Sequence, residues 1–392
     1  MPRSPELSKR AVALKPSLTL QISARAKALA NEGRDICSLS AGEPDFNTPE
    51  FIVEAARTAL SEGITRYGPA AGDPELRLAV AEKLTRENGI PTTSDQVLIT
   101  NGGKQAIFNL LQVLLNPGDE VLLPAPYWLS YPEMAALAGA RTITIPSTAD
   151  DGFQLDLKAL ESRISPKSRL LILNTPSNPT GRVMQRSELE QLAELVGRHP
   201  NLMVMCDEIY EYFLADGLAH HSFAAVAETI RHRCFTVNGF AKGWAMTGWR
   251  LGYLAGDETV IKAAAALQSQ STSNVCSFAQ RGALAAILGS RDCVSEMAAS
   301  YNLRRGRLCE GLASIDGITL IPPQGAFYAF PQLPESVMGS VEFCRRALDQ
   351  EGLAVVPGLA FGDDRCIRLS CAVSRETITD GLERLKRLLG SF

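Results

Sequence analysis

The chain has 392 residues, which is more than one typical domain needs and suggests about two or three domains. Hydrophobic residues make up 45% and charged residues 21%, a balance typical of soluble globular proteins. The formal net charge is −4 and no block of lysine and arginine occurs, which argues against a nucleic-acid-binding surface.

The amino terminus and the cysteines indicate the expected compartment. The segment MPRSPELSKR carries charges and no apolar stretch follows it, so we expect no signal peptide. No run is long and apolar enough to cross a membrane. The nine cysteines are scattered without a C-x-x-C pair, and there are only four histidines. We therefore expect buried, reduced thiols in a cytoplasmic protein, with neither a disulfide framework nor a metal site.

Seven apolar runs in the middle of the chain predict β-strands that alternate with helices. Several runs are apolar on both faces, as in a sheet covered by helices on both sides. The predicted strands are 96–101, 120–125, 141–146, 169–174, 202–207, 234–239 and 250–256. This alternation indicates an α/β domain with a mostly parallel sheet, from residue 47 to residue 290.

The N-terminus of one helix in this domain can be predicted from the sequence. In SELEQLAELV, Ser187 and Glu190 have the spacing of a capping box, which predicts that the helix begins at this serine. Leu189, Leu192 and Val196 recur at helical spacing, so we expect this face to be buried.

The last hundred residues follow a different pattern. A long helical stretch begins at Arg291, and the chain ends in SRETITDGLERLKRLLG, whose leucines and isoleucine lie on one helix face. Between these helices are three apolar runs, at 317–323, 325–331 and 366–372. We expect a smaller α+β domain formed by residues 291–392, with residues 1–46 packed on it.

Polar residues follow the carboxyl ends of several predicted strands, where ligands bind in doubly wound sheets. Strand 96–101 runs into NGGKQAIFN, and the backbone N–H groups of a glycine-rich helix start suit a phosphate. Neither the GxGxxG fingerprint nor a P-loop occurs, which excludes a nucleotide-dependent dehydrogenase. Strand 202–207 ends in Asp207, a carboxylate that needs a partner beside so apolar a strand, and Tyr210 follows it.

The stretch NGFAKGWAMTGWRLGY contains one lysine, Lys242, among small and aromatic residues, and its next charge is Arg250. Surroundings of low polarity lower the pKa of a lysine and make it nucleophilic, as in lysines that form Schiff bases. The alternative is an ordinary lysine whose ammonium reaches solvent or an ion-pair partner.

Together these groups meet the requirements of pyridoxal phosphate. A lysine such as Lys242 can hold its aldehyde as an imine, and Asp207 can keep its pyridine nitrogen protonated. An asparagine and Tyr210 can bind its ring oxygen, while the glycine-rich helix start and Arg250 can bind its phosphate.

Motifs along nearly the whole chain resemble those of the class I aminotransferases, which are pyridoxal-phosphate enzymes of fold type I. In order they are SAGEPDFNTP, RYGPAAGDPELR, TNGGKQAIFN, PAPYWLSYPEM, NTPSNPTG, CDEIYEYF, NGFAKGWAMTGWRLGY, GAFYAF, AVVPG and IRLSCA. The chain is most similar to the bacterial aspartate aminotransferase subgroup, some members of which also transaminate prephenate. The resemblance implies a large α/β domain with a seven-stranded sheet flanked by helices, a smaller α+β domain and a homodimer.

The resemblance also implies roles for the residues that match. Lys242 would form the Schiff base and move the proton during catalysis. Asp207 would pair with the pyridinium nitrogen, and Asn178 and Tyr210 would bind the ring hydroxyl. Trp128 would stack on the ring.

The phosphate site is implied in the same way. Arg250 and the backbone N–H groups around Gly103 and Lys104 would hold the phosphate. Tyr67 of a second subunit would join them, so that the active sites are shared within the dimer. Many family members carry serine where this chain has Ala241, so we expect one phosphate contact fewer or a replacement from elsewhere.

Two further matches concern the substrate's α-carboxylate. Arg368 would bind it, and in CIRLSC this arginine points to the opposite face from the apolar residues on either side. An exposed strand arginine would have the same pattern, but a planar guanidinium matches a carboxylate well. Gly42 in SAGEPDF would offer a backbone N–H to the same group.

Specificity depends on Lys104, which in the subgroup helps to hold a second, distal carboxylate. Its alternative role is that of a phosphate-site or solvent lysine. Ser17 and Thr19 belong to a segment that closes over the substrate in the subgroup. Trp128 and Asn178 would also contact the substrate. These matches favour aspartate, glutamate and their 2-oxo acids.

The favoured function is therefore aspartate:2-oxoglutarate transamination with ping-pong kinetics. Alternatives on the same scaffold are glutamate/aspartate–prephenate, aromatic or alanine transamination, and a pyridoxal-phosphate lyase or synthase. A ligand-sensing regulator would need an added DNA-binding domain, and only about forty residues precede the core. We expect amino acids and 2-oxo acids as ligands, and neither nucleic acid nor membrane as a partner.

Overall fold

The computed structural model describes residues 6–8, 11–12, 14, 18–337 and 339–391. The helices are α1 Leu18–Asn31, α2 Glu50–Ser61, α3 Pro74–Glu87, α4 Gly103–Leu114, α5 Ser130–Leu137, α6 Leu157–Glu161, α7 Arg186–Gly197, α8 Phe223–Val226, α9 Glu258–Ser271, α10 Ser277–Leu288, α11 Asp292–Ala313, α12 Ser340–Glu351 and α13 Arg375–Leu389. Within these described ranges, no helix has both the length and the apolar character that spanning a membrane requires.

The strands form one large sheet and two small ones. They are β1 Cys37–Ser38, β2 Val97–Thr100, β3 Glu120–Pro124, β4 Arg141–Ile145, β5 Ser168–Asn174, β6 Met203–Asp207, β7 Cys234–Gly239, β8 Gly252–Ala255, β9 Tyr328–Ala329, β10 Leu353–Ala354, β11 Val356–Pro357 and β12 Ile367–Ser370. The seven-stranded sheet has the order β2-β8-β7-β6-β5-β3-β4. Strand β8 runs antiparallel to the other six strands of this sheet. The predicted mostly parallel seven-stranded α/β sheet is confirmed.

Apolar side chains on both faces bury this sheet. Along β5, Leu171 and Leu173 enter one hydrophobic cluster, while Leu170 and Ile172 enter another. Successive side chains of a strand point to opposite faces, so both faces of β5 are covered. Burying each of these side chains stabilises the fold by about 1.5–3 kcal/mol. The runs that are apolar at every position therefore mark central strands.

The N-cap of helix α7 lies two residues earlier than the sequence predicted. Its N-cap is Gln185, whose backbone N–H donates to Glu188 Oε2 at 2.7 Å. The capping box predicted for Ser187 and Glu190 is wrong, because this serine lies inside the first turn and the glutamate pairs with Arg186 at 2.8 Å. The three apolar positions predicted on this helix are buried.

The carboxyl-terminal part forms the small sheets. Strands β11, β12 and β9 make an antiparallel sheet, and β1 pairs with β10 in parallel. Segment 366–372 thus contains a strand, segment 325–331 contributes the two residues of β9 and a single bridge at Gly325, and segment 317–323 contributes a single bridge at Thr319. The amino-terminal β1 is paired with this part of the chain. The domain boundaries at 46/47 and 290/291 stay predictions.

All nine cysteines are free. Six are buried, and Cys293 and Cys309 are partly buried. Cys276 is exposed, so the expectation of buried thiols is wrong at this position, which lies at the start of α10.

Candidate active site

A cavity of about 710 Å³ lies at the carboxyl ends of β5 and β6 and beside β12. Ten of the eleven predicted site residues line it: Gly42, Gly103, Lys104, Trp128, Asn178, Asp207, Tyr210, Lys242, Arg250 and Arg368. Tyr67 does not line it, and its side chain is 93% exposed. Ser17 lies outside the described residues, as does the side chain of Thr19.

Asp207 ends β6 and is buried in the cavity wall. The Tyr131 hydroxyl donates to Asp207 Oδ2 at 2.8 Å, and the Ile209 backbone N–H donates to Oδ1 at 3.2 Å. Burial raises the pKa of Asp207 to about 6, although both hydrogen bonds lower it. A carboxylate held in this way can best stay ionised if a cationic group contacts it.

Tyr210 is a buried residue of the loop that follows β6. Its hydroxyl lies 2.9 Å from the hydroxyl of Tyr328, which also lines the cavity. Burial raises the pKa of Tyr210 well above its ordinary value. The phenol is therefore a neutral hydrogen-bonding group.

Lys242 reaches the centre of the cavity from the loop between β7 and β8. Its ammonium contacts the backbone carbonyl oxygen of Gly42. The nitrogen lies 5.8 Å from the ring centroid of Tyr210 and 5.5 Å from that of Phe327. Burial lowers the pKa of Lys242 to about 8, against an opposing effect of Glu43. The sequence-based expectation of a lysine with a lowered pKa is confirmed.

One corner of the cavity is cationic. Helix α4 begins at Gly103, and Lys104 follows it in the first turn. The guanidinium of Arg250 lies so close to Gly102 that a Cβ there would be 2.5 Å from its Nη2. Gly102 also has a φ of +81°, so a side chain would be strained as well as crowded. Two cations beside a helix N-terminus form a site suited to an anion.

Arg368 is buried on β12 without a salt bridge to a carboxylate among the described residues. Its Nη1 donates to Asn178 Oδ1 at 3.0 Å, and its Nη2 donates to the Ser40 carbonyl oxygen at 3.1 Å. Nε has no hydrogen-bond partner within the described part of the chain. The guanidinium also stacks on Tyr328, 4.3 Å from the ring centroid. An arginine that is held but not neutralised is prepared for an anionic ligand.

Trp128 and Asn178 complete the wall. The Trp128 ring meets Tyr131 edge to face at 5.2 Å, and Lys104 Nζ lies 4.9 Å from its centroid. The Asn178 backbone N–H donates to Asn174 Oδ1 at 2.7 Å. Because the Asn178 side-chain oxygen accepts from Arg368, its NH₂ group remains to donate to a ligand.

Sequence reasoning missed two tyrosines of this site, Tyr131 and Tyr328. Both stand within motifs that were recognised, PAPYWLSYPEM and GAFYAF. A tyrosine in an apolar run buries its ring and then needs a partner for its hydroxyl, which was the available signal.

Comparisons with known proteins show the family of this chain. The family described as aminotransferase class I and II matches residues 34–385. The chain is 48% identical to the bifunctional aspartate aminotransferase and glutamate/aspartate-prephenate aminotransferase of Petunia hybrida, over 98% of this chain and 82% of that protein. It is 44% identical to the aspartate/prephenate aminotransferase of Thermus thermophilus, over 98% of this chain and 99% of that protein.

A solved structure of aspartate aminotransferase from Thermus thermophilus with maleate has the same fold. It superposes with a TM-score of 0.94 at 43% identity and covers 98% of this chain and 100% of that one. Family match, identity and fold agree over almost the whole length. The chain therefore belongs to the class I and II aminotransferases.

Proposed function

We propose that the protein is a pyridoxal-phosphate-dependent aminotransferase that transfers the amino group of aspartate to 2-oxoglutarate. The observation that carries the proposal is the position of Lys242 within one cavity. The lysine shares this cavity with the buried carboxylate of Asp207 and with two separate cationic sites, one at Arg250 beside the start of α4 and one at Arg368. One site suits a phosphate and the other an α-carboxylate.

The residues of the cavity fit pyridoxal phosphate. Asp207 would hold the ring nitrogen as a cation, which also relieves the burial of this carboxylate. Tyr210 and the NH₂ group of Asn178 would donate to the ring oxygen. Arg250 and the start of α4 would bind the phosphate. When bound, the cofactor would supply the aldehyde and the electron sink that transamination needs.

The protein's own groups would then act on the amino acid. Arg368 would orient the substrate through its α-carboxylate, with its guanidinium already held by Asn178 and Ser40. Lys242, with its pKa of about 8, would be partly neutral near neutral pH and could take the proton from the substrate Cα.

Lys104 would select dicarboxylic substrates. Its ammonium lies over the face of Trp128 inside the cavity, and burial, followed by the charge of Arg250, lowers its pKa. A second substrate carboxylate would bind favourably beside Lys104, because its negative charge offsets the repulsion between Lys104 and Arg250. The Thermus structure that resembles this chain holds maleate, which is a dicarboxylate.

Prephenate is the second candidate acceptor. The relatives from Petunia and Thermus are both named for prephenate as well as aspartate. Prephenate also carries two carboxylates, so Lys104 would serve both substrates.

The protein would act as a homodimer with shared sites. Tyr67 is exposed on the single chain and stands outside the cavity, as a residue that serves the partner's phosphate site would. A cytoplasmic location and the contact that replaces a serine hydroxyl at Ala241 stay predictions.

The absorbance spectrum of the purified, cofactor-loaded protein tests this function. L-aspartate alone should remove the visible band of the bound cofactor, and 2-oxoglutarate should then restore it. A coloured protein that ignores aspartate would contradict the role of Lys104 and direct the search to aromatic or sulfur amino acids. Steady release of a 2-oxo acid without any acceptor would instead identify a lyase.

A further inference from the structure

A buried ion pair lies outside the residues that line the active-site cavity and takes no part in the function proposed above. The side chains of Lys83 in α3 and Glu211 in the loop after β6 are 1% and 6% exposed. Their charged groups contact each other, and Lys83 Nζ also donates to Asn88 Oδ1 at 2.8 Å. Removing two charges from water is costly and is rarely the most stable choice for a protein interior. The pair therefore calls for a reason other than stability.

The Glu211 carboxylate joins three parts of the chain. It accepts hydrogen bonds from Lys83, from Asn88 Nδ2 at 2.8 Å and from Asn238 Nδ2 at 2.8 Å. The first two partners belong to α3 and its end, whereas Asn238 belongs to β7. Asn238 is fixed in turn, because its Oδ1 accepts from the Gly239 N–H at 2.7 Å.

These partners connect the two segments that carry the central groups of the site. Glu211 directly follows Tyr210 and comes four residues after Asp207, while Asn238 stands four residues before Lys242. Backbone pairing joins β6 and β7 as far as the hydrogen bond from the Glu208 N–H to the Val237 carbonyl. Beyond it, the Glu211–Asn238 hydrogen bond links the loop after β6 to the end of β7 through their side chains.

The same cluster could be mistaken for a metal site. Ligand atoms of Glu208, Glu211 and His220 lie within 4.8 Å of one another. However, Glu208 already accepts from Ser222 at 2.6 Å and contacts His220 at 3.0 Å, while Glu211 has its three donors. Lys83 is the cation of this cluster, so metal binding is not the function that the contacts support.

We propose that Glu211 and Asn238 are positioning residues for the reaction. Their hydrogen bond sets the position of Lys242 relative to Asp207 and Tyr210, and Lys83 neutralises the buried carboxylate that makes this bond. The inference rests on the proposed function, because it concerns the placement of groups that act on cofactor and substrate.

Two asparagines provide a comparison. Asn238→Ala and Asn88→Ala each remove one 2.8 Å hydrogen bond to the same carboxylate, but only the first cuts the link to the end of β7, which leads to Lys242. Asn88→Ala also removes the hydrogen bond that its Oδ1 accepts from Lys83 and the one that its Nδ2 donates to Ser222 Oγ at 2.9 Å. In the cofactor-loaded protein, Asn238→Ala should lower kcat for aspartate on the order of tenfold or more, since small misplacements of reacting groups are costly. KM should change little, because Arg368 and Lys104 are untouched. The visible circular dichroism of the bound cofactor should change as well.

Asn88→Ala should lower the melting temperature but leave kcat and the circular dichroism close to those of the wild type. Equal effects of both variants on kcat and circular dichroism would overturn the proposal and leave a structural role only. An Asn238→Ala variant that lowers only the melting temperature would also overturn the proposal.

A double variant covers the case in which Asn238→Ala fails to fold. Lys83→Met with Glu211→Leu replaces the ion pair by apolar groups of similar size, which proteins often tolerate without loss of stability. It should fold, yet show the same fall in kcat and the altered circular dichroism. A double variant whose kcat and circular dichroism match those of the wild type would overturn the proposal. If the wild type does not transaminate aspartate, the proposed function fails, but the circular dichroism of these variants still decides whether Glu211 and Asn238 position the bound cofactor.

Discussion

Burial shifts the pKa values of two central residues toward neutrality. It lowers the pKa of Lys242 to about 8 and raises that of Asp207 to about 6. A charged amine and a charged carboxylate both lose hydration in the same cavity, and each responds by favouring its neutral form. Such paired shifts in a cleft are typical of catalytic sites.

Lys242→Ala removes the amine that we expect to move the proton. Transamination should fall by at least about a hundredfold, because general acid–base catalysis contributes this much or more. The protein should still fold and bind pyridoxal phosphate through the other groups of the cavity. Single-turnover assays with aspartate measure the effect, and turnover near that of the wild type would contradict the assignment of the site.

Arg368→Ala and Lys104→Ala should separate the two carboxylates of the substrate. Losing a charge-assisted hydrogen bond costs about 1.5–3 kcal/mol, or roughly ten- to a hundredfold in kcat/KM. Arg368→Ala should lower kcat/KM for aspartate and for alanine alike, whereas Lys104→Ala should lower kcat/KM for aspartate more than for alanine. If Arg368→Ala affected only dicarboxylic substrates, the roles of the two residues would have been exchanged.

Asp207→Asn tests the pKa of the buried carboxyl in protein freed of cofactor. The folded-state pKa of about 6 lies above the ordinary 3.8, so the protonated form stabilises the fold at low pH. This stabilisation is lost as the pH rises through the folded-state pKa. The advantage of the asparagine variant in unfolding free energy should therefore grow by about 1 kcal/mol between about pH 5 and about pH 8.

Urea unfolding of both proteins at the two pH values measures this difference. A constant difference would mean that Asp207 titrates normally. With cofactor bound, the variant should be the less active protein, because the amide cannot hold the ring nitrogen as a cation.

Residue types alone pointed to part of the site. Asp207 and Lys242 were suggested by charge in apolar surroundings, a signal that is local in sequence. Tyr131 and Tyr328 were missed because their hydroxyl partners lie 76 and 118 residues away in the chain. The neighbouring residues indicate that the ring is buried, but they do not identify the partner of its hydroxyl.

Among the elements, the seven strands were predicted almost to the residue, since runs that are apolar on both faces have one stable place in an α/β sheet. The start of α7 was not predicted correctly. Two glutamates, Glu188 and Glu190, each have a residue three positions earlier that could serve as a cap. The Arg182 side chain contacts Glu188 and favours the earlier start.

The two glutamates of α7 make a matched pair for stability. Glu188→Ala removes the carboxylate that binds the Gln185 N–H and should cost about 1 kcal/mol in unfolding free energy. Glu190→Ala removes only an exposed ion pair with Arg186 and should cost about 0.3–0.5 kcal/mol. Denaturant unfolding compares them, and a larger loss in Glu190→Ala would restore the capping box that the structure contradicts.

For the molecule as a whole, the cavity depends on segments that are far apart in sequence. The guanidinium of Arg368 is held by the carbonyl oxygen of Ser40, 328 residues earlier. Tyr67 lies outside this cavity, so we propose that it contributes to the site of a second subunit, as the family resemblance implies.

Mixing two defective proteins tests the shared sites. Lys242→Ala and Tyr67→Ala should each have low activity alone. If Tyr67 serves the partner's site, a mixed dimer has one site with both residues intact, so activity should rise when the two variants are unfolded and refolded together. Refolding each variant alone is the control. No gain in the mixture would contradict shared sites, provided that mixed dimers are detected.

The sequence by itself determined the strands, the order of the elements and the residue types at the strand ends, because hydrophobic periodicity and chain direction are local properties. Only the tertiary structure decided which hydroxyl meets Asp207, which carbonyl holds Arg368, and that Lys83 and Glu211 form a buried pair. These contacts join residues that no periodicity relates, and their energies depend on burial, which the folded chain alone creates.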